Sequence, residues 1–274
     1  MGRPAFFQVL PDFWRLVSLL TLETGLRYLV FAGLGWLLGY VVFRRRWQSR
    51  RIVAEFPPAE SMWREFRWSL LTLVVFGVVG AATLWLAHHG YTRMYWRVGE
   101  RGTAWFFLSV GLVILLHDTY FYWTHRWMHQ PRYFRWIHRV HHQSTNPSPW
   151  AAYSFAPAEA VIQAGIFPLA VFLIPLHPLA FGLFMMWQIF FNVLGHLGYE
   201  LYPRRLMDGP LGRVLNTATH HALHHEKIRG NYGIYFNLWD RLMGTNQAGY
   251  EARYRAVAAG AGREPVQPAK GGRS

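Results

Sequence analysis

The sequence contains no cysteine. Disulfides, Cys-ligated zinc, Cys-held iron–sulfur clusters and a thiolate haem ligand are therefore excluded. Any metal must be held by His, carboxylate or carbonyl groups. Acidic residues are also scarce: 14 Asp and Glu stand against 28 Lys and Arg, a formal net charge of +14. Such an excess suits nucleic acid, anionic headgroups or the cytoplasmic loops of a membrane protein. The basic residues lie beside long apolar runs and no polar basic domain is visible, so no nucleic-acid partner is expected. The start, MGRPAFFQVLPDFWRL, lacks the basic stretch, compact apolar core and cleavage site of a signal peptide. No zinc-protease HExxH motif is present: Arg126 and His221 stand where its Glu would fall. No internal repeat of fixed period is visible.

What is abundant is apolar and aromatic. Hydrophobic residues are 52% of the 274 and aromatics 18%, with 14 Trp, which suits membrane helices with aromatic belts at their ends. A spanning helix needs about 20 mostly apolar residues. Three such runs are expected, over Leu26–Phe43, Ser69–Ala87 and Ala104–Trp123. Two shorter runs, Ala160–Leu176 and Leu179–Gly195, form a hairpin that either crosses the bilayer or dips into it. The expected fold class is an all-α integral membrane protein, with four to five apolar membrane helices and a His-rich cytosolic helical cap. The chain divides by composition into N-terminal membrane helices with a basic loop (1–103), a catalytic domain (104–250) and a disordered tail rich in Ala, Gly and Pro (251–274).

Orientation follows from charge. Arg44, Arg45, Arg46, Arg50 and Arg51 directly follow the first run, which places that loop in the cytoplasm. Both versions of the hairpin then bring every His-rich stretch to this same face. His88, His89 and His177 fall on the other side.

The sequence has 14 His, a high count. His125-x-x-x-His129 puts two imidazoles on one helical face. His138-x-x-His141-His142 and His221-x-x-His224-His225 each form a stripe at i, i+3 and i+4. His196 ends the last apolar run at the same membrane face. Asp118 lies seven and eleven residues before the first pair. At about 3.6 residues per turn it returns to nearly their face, placed to accept a hydrogen bond from a ligand imidazole. Direct coordination by Asp118 stays open. His117 and His220 are possible additional ligands. Nine imidazoles exceed the usual needs of one zinc and suit two metals. Imidazole alone accepts iron, zinc, copper or nickel. A lipid oxygenase, a membrane zinc hydrolase and a metal- or haem-binding carrier are the competing functions.

The segments HDTYFYWTHRWMH, HRVHHQSTNPSPWAAYSF, NVLGHLGYE and THHALHHEKIRGNYGIYFNLWDRLMGT, from His117 to Thr245, resemble the fatty acid hydroxylase superfamily, especially its C-5 sterol desaturase-like branch. The resemblance implies a helical membrane fold with a cytosolic cap and a di-iron centre, with two Fe ions and O2 as co-substrate. It implies hydroxylation or desaturation of a membrane lipid. Electrons would come from a separate donor of the cytochrome b5 or ferredoxin type. The implied ligands are His125, His129, His138, His141, His142, His196, His221, His224 and His225. Asp118 and His117 match family positions, and Asn231-Tyr232-Gly233 matches the turn after the third box. Asp240 and Arg241 are expected to be structural. One departure stands out: Phe155-Ala156-Pro157 replaces the family's Phe-His-Pro, which leaves the substrate open. Glu159 keeps the acidic residue found nearby.

Overall fold

The structure, a computed structural model, describes residues 12–260. The first eleven residues, where no leader is expected, and residues 261–274 lie outside the described part. Among the described residues there are helices and no strand, apart from two isolated bridges, Arg51 to Tyr199 and Leu215 to Phe236.

Four helices are long and apolar enough to cross a membrane. α1 runs Phe13–Trp36 and widens into a π-helical stretch over Leu37–Val42. α2 is Ala59–His88, and α3 is Gly102–Met128. Short helices follow: α4 (Pro131–Ile137), α5 (Arg139–His142), α6 (Pro157–Ala164) and α7 (Ile166–Leu173). The fourth long helix is α8, Pro178–Gly195. Four more complete the described residues: α9 (Pro210–Val214), α10 (Ala218–Lys227), α11 (Leu238–Leu242) and α12 (Tyr250–Ala258).

α1 begins well before Leu26, the expected start. Asp12 caps it, its carboxylate accepting the Arg15 N–H at 3.0 Å. Glu23 and Arg27, which interrupt the apolar run, pair with each other one turn apart within the helix. α1 and α2 approach closely at Gly77, where an added Cβ would meet Thr21 Oγ1 at 2.0 Å and the Val17 carbonyl at 3.0 Å. A small residue lets two backbones come this near.

The hairpin reaches the loop between α2 and α3. Its tip is stitched to the segment joining α2 and α3: Arg93 N donates to Val171 O at 2.9 Å, Tyr95 N to Leu176 O at 3.1 Å, and the Trp105 indole to Pro175 O at 2.9 Å. The first arm breaks at Gly165, where the Tyr120 hydroxyl bonds to Ile162 O at 2.6 Å and leaves no room for a Cβ. His177 caps α8 by accepting the Leu179 N–H at 3.1 Å, a structural role.

One expectation is corrected. Residues 251–258 are helical rather than disordered. α12 carries an apolar stripe that packs Tyr250, Tyr254 and Ala258 on Met207 and Leu223, and Val257 on Ile52 and Ala222. Of the basic run, Arg51 is 1% exposed. It bonds to the carbonyls of Val53 and Glu55 and lies 3.9 Å over the Phe56 ring. Arg44, Arg45 and Arg46 remain exposed.

The main core is continuous across the 103/104 boundary. Tyr28, Leu73 and Phe76 pack with Tyr153, Phe155 and Phe184 in one cluster. The hydroxyls of Tyr28 and Ser69 both donate to Trp150 O at 2.9 Å. α1 and α2 thereby hold the loop that precedes α6.

Candidate metal centre

The histidines sit where helices end. His129 caps α3, His138 is the joint between α4 and α5, and His196 caps α8. α10 carries the third box. Its start is fixed by Glu200, whose Oε2 accepts the Thr219 N–H at 3.0 Å and the Thr219 hydroxyl at 2.7 Å.

All nine expected ligands converge, in two groups. The first holds His125, His129, His138, His142 and His224. The second holds His141, His196, His221 and His225. Within each group the candidate ligand atoms lie within 4.8 Å of one another. The groups adjoin, with the rings of His142 and His225 centred 4.8 Å apart. The HxxHH boxes are not single-metal stripes. In each, the i and i+4 residues enter one group and i+3 enters the other, and the two boxes do so in opposite senses.

The inner atoms are Nε2. His142 Nε2 lies 3.1 Å from those of His129 and His138 and 3.0 Å from that of His224. His221 Nε2 lies 3.0 Å from that of His196 and 3.1 Å from that of His225. The outer atoms are Nδ1, and most are anchored. His125 donates to Tyr232 O at 2.8 Å, His224 to Gly230 O at 2.7 Å, His225 to Ser144 O at 2.9 Å and His196 to Asn192 O at 2.7 Å. His138 Nδ1 meets Glu159 Oε1 at 2.7 Å. A proton held on Nδ1 leaves a lone pair on Nε2.

Where both Nδ1 atoms are held from outside, as in His125 and His138, the inner nitrogens face each other at 3.0 Å, which a cation or a shared proton relieves. Burial opposes protons. It pushes His129 down to about 2 and His196 to about 4, and holds His138, His141, His142, His221, His224 and His225 well below the usual imidazole range. Neutral, preoriented imidazoles in sets of five and four fit transition-metal ions. The donor set admits iron and does not by itself choose it over zinc.

Asp118 does not accept from a ligand imidazole. Its Oδ1 accepts the backbone N–H of Tyr235 at 2.9 Å and of Phe236 at 3.0 Å. Helical periodicity gave the face correctly, but the loop after α10 covers that face first. Asp240 holds the same loop, accepting from Tyr232 N at 2.9 Å, Gly233 N at 2.7 Å and the Thr245 hydroxyl at 2.6 Å. Both carboxylates fix the strip whose carbonyls orient His125 and His224. The role assigned to Asp118 is filled by Glu159, whose sequence signal was a lone carboxylate in an apolar helix start.

His117 and His220 join neither group. His117 Nδ1 bonds to the Tyr235 hydroxyl at 2.8 Å, two turns below His125. His220 Nε2 is 3.2 Å from Asn246 Oδ1. Ala156, the N-cap of α6, places no imidazole there, and the nine ligands assemble without one.

A cavity of about 30 Å³ lies against the histidines, walled by Phe121, Phe155, Gln163, Phe191 and Asn192. It has room for one or two molecules the size of water.

Residues 110–245 match the family model described as fatty acid hydroxylase. The chain is 31% identical over 161 residues to a Delta(7)-sterol 5(6)-desaturase of Gibberella zeae, covering 58% of this chain and 48% of that one. It is 29% identical over 185 residues to the lathosterol oxidase of Mus musculus (66% and 60% covered). A Delta(7)-sterol 5(6)-desaturase of Eremothecium gossypii is 29% identical over 247 residues (88% and 67% covered). The chain thus spans about half the length of the first fungal relative. No solved structure matches. With its histidine boxes folded into one paired centre within the matched residues 110–245, the chain belongs to the fatty acid hydroxylase superfamily, in its sterol desaturase branch.

Proposed function

We propose that the protein is a membrane lipid oxygenase that uses two irons, O2 and electrons from a separate donor to hydroxylate or desaturate a lipid. The names of the relatives favour a sterol or sterol-like lipid. The observation that carries the reading is the pair of adjoining all-imidazole groups against a cavity with phenylalanine walls. When bound, the iron pair supplies activation of O2 against an unactivated C–H bond.

The chain's own residues do the rest. Tyr232 O, Gly230 O, Ser144 O, Asn192 O and Glu159 hold imidazole protons outward and leave the inner nitrogens as donors to metal. Phe121, Phe155 and Phe191 exclude water beside the reacting carbon. Hydroxylation and desaturation both consume an electron pair and protons from outside for each O2. A donor protein is therefore required, of the cytochrome b5 or ferredoxin type. The exposed Arg44, Arg45 and Arg46, just beyond the end of the first long helix that packs on Leu197 and Tyr199 beside His196, support a cytoplasmic active face.

Metal analysis of the purified protein, combined with uptake of labelled O2 into lipids extracted from cells with and without the gene, tests this reading. Iron at about two per chain and a labelled or newly unsaturated lipid are expected. Zinc or haem with no iron dependence overturns it.

A further inference from the structure

Three cavities follow one another from the histidines into the membrane half of the molecule. The first is the His-lined one. Phe121, Phe155, Gln163 and Asn192 also line a second, of about 10 Å³. Phe76, Phe167 and Met185 then separate the second from a third, of about 230 Å³. Along α8 the series runs from Gly182 to His196, a rise of about 21 Å at 1.5 Å per residue.

The polar residues of the third chamber are Glu23, Thr24 and Arg27 of α1 and Thr83 of α2, whose hydroxyl is already bonded to Val79 O at 2.8 Å. Arg27 lies near the middle of a 30-residue apolar span, and its side chain is 6% exposed. It pairs with Glu23 and bonds to Thr24 Oγ1 at 3.3 Å, and its buried Nε has no hydrogen-bond partner. Ionised groups at this depth are costly, and where they persist they mark a ligand path. None of these three residues lies within the family match, which begins at residue 110.

The pair is internally neutral. A lipid carboxylate or phosphate there would leave an uncompensated charge inside the membrane. An uncharged oxygen adds none: a hydroxyl can accept from the arginine and donate to the carboxylate.

We propose that this outer chamber binds a neutral, hydroxyl-bearing lipid, held at Glu23–Arg27, and passes it through the Phe76–Phe167–Met185 constriction to the histidines. That the lipid is the substrate rests on the oxygenase reading; that it binds here does not.

The test uses the full chain in phosphatidylcholine vesicles with a photoactivatable sterol alcohol, its 3-deoxy analogue and a photoactivatable fatty acid. Labelling by the alcohol is expected at Leu20–Arg27 and Gly182–Met185. A Cβ added at Gly182 meets nothing within 4 Å, so Gly182→Phe fills the chamber without a backbone clash. It should cut labelling at least about tenfold, the scale of a lost apolar site, while metal content stays unchanged. Glu23→Gln and Arg27→Met should lower labelling by the alcohol and spare the deoxy analogue. His138→Ala, which removes a metal ligand, should leave labelling intact, so loss of the oxygenase reading would not touch this result. Labelling unaffected by Gly182→Phe, or equal labelling by all three probes, overturns the proposal.

Discussion

His138 Nδ1 and Glu159 Oε1 lie 2.7 Å apart with neither side chain meeting solvent, and among the described residues Glu159 is the one carboxylate bonded directly to a candidate ligand histidine. Such a partner fixes the ring and strengthens its inner nitrogen as a donor. Glu159→Gln should therefore weaken metal binding about 10- to 100-fold while the fold survives. Competition with a chelator, read by metal retention, measures this. Unchanged retention would show that the pair is structural only.

The crossed boxes make a sharper prediction. His221 and His224 are one turn apart on α10 yet belong to different groups. Each single alanine variant should lower metal content from about two per chain to about one, and the double variant should lose both. If either single change empties the whole centre, the groups do not load separately.

Asp118 should matter through the loop rather than through metal contact. Asp118→Ala leaves the Tyr235 and Phe236 N–H groups without their acceptor, at a cost of about 1–3 kcal/mol for each buried group. Asp118→Asn keeps an acceptor oxygen and should be milder. Amide exchange over residues 231–236 should quicken in the alanine variant before global unfolding is reached.

Acid should destabilise the metal-free protein. The site imidazoles have folded pKa values depressed by burial, to about 4 for His196 and well below the usual imidazole range for His221 and His224. A depressed histidine binds protons more readily unfolded, so its stability contribution is present above the unfolded value, about 6.5, and is lost as pH falls toward the folded value. Melting temperatures of chelator-treated protein should fall between pH 7 and about pH 4, and metal-loaded protein should resist over the upper part of that range.

Much of this was legible beforehand, for identifiable reasons. Spans show as apolar length, eight of the nine candidate ligands show as histidine-box spacing, and His196 shows as the end of an apolar run. The split within HxxHH was not visible, because it depends on where the opposing helices place a second cluster. The early start of α1 was hidden because Glu23 and Arg27 look like a break until they pair across one turn. α12 was masked by small residues in the tail that follows it. Asp118 was read from one helix alone, whereas its partners, Tyr235 and Phe236, lie more than a hundred residues away.

The latch between Asn231 N and Thr245 O, at 2.9 Å, sets a timetable for the protein's synthesis. His125 emerges from the ribosome a hundred residues before His225, and the carbonyls that orient His125 and His224 come later still. Until about residue 245 is made, the early histidines lie near the membrane surface with no complete cage. The paired histidine groups are thus completed by the last segment, which closes on the helices made before it. A chain stopped before residue 230 would fill its membrane layer and yet hold no stable metal pair.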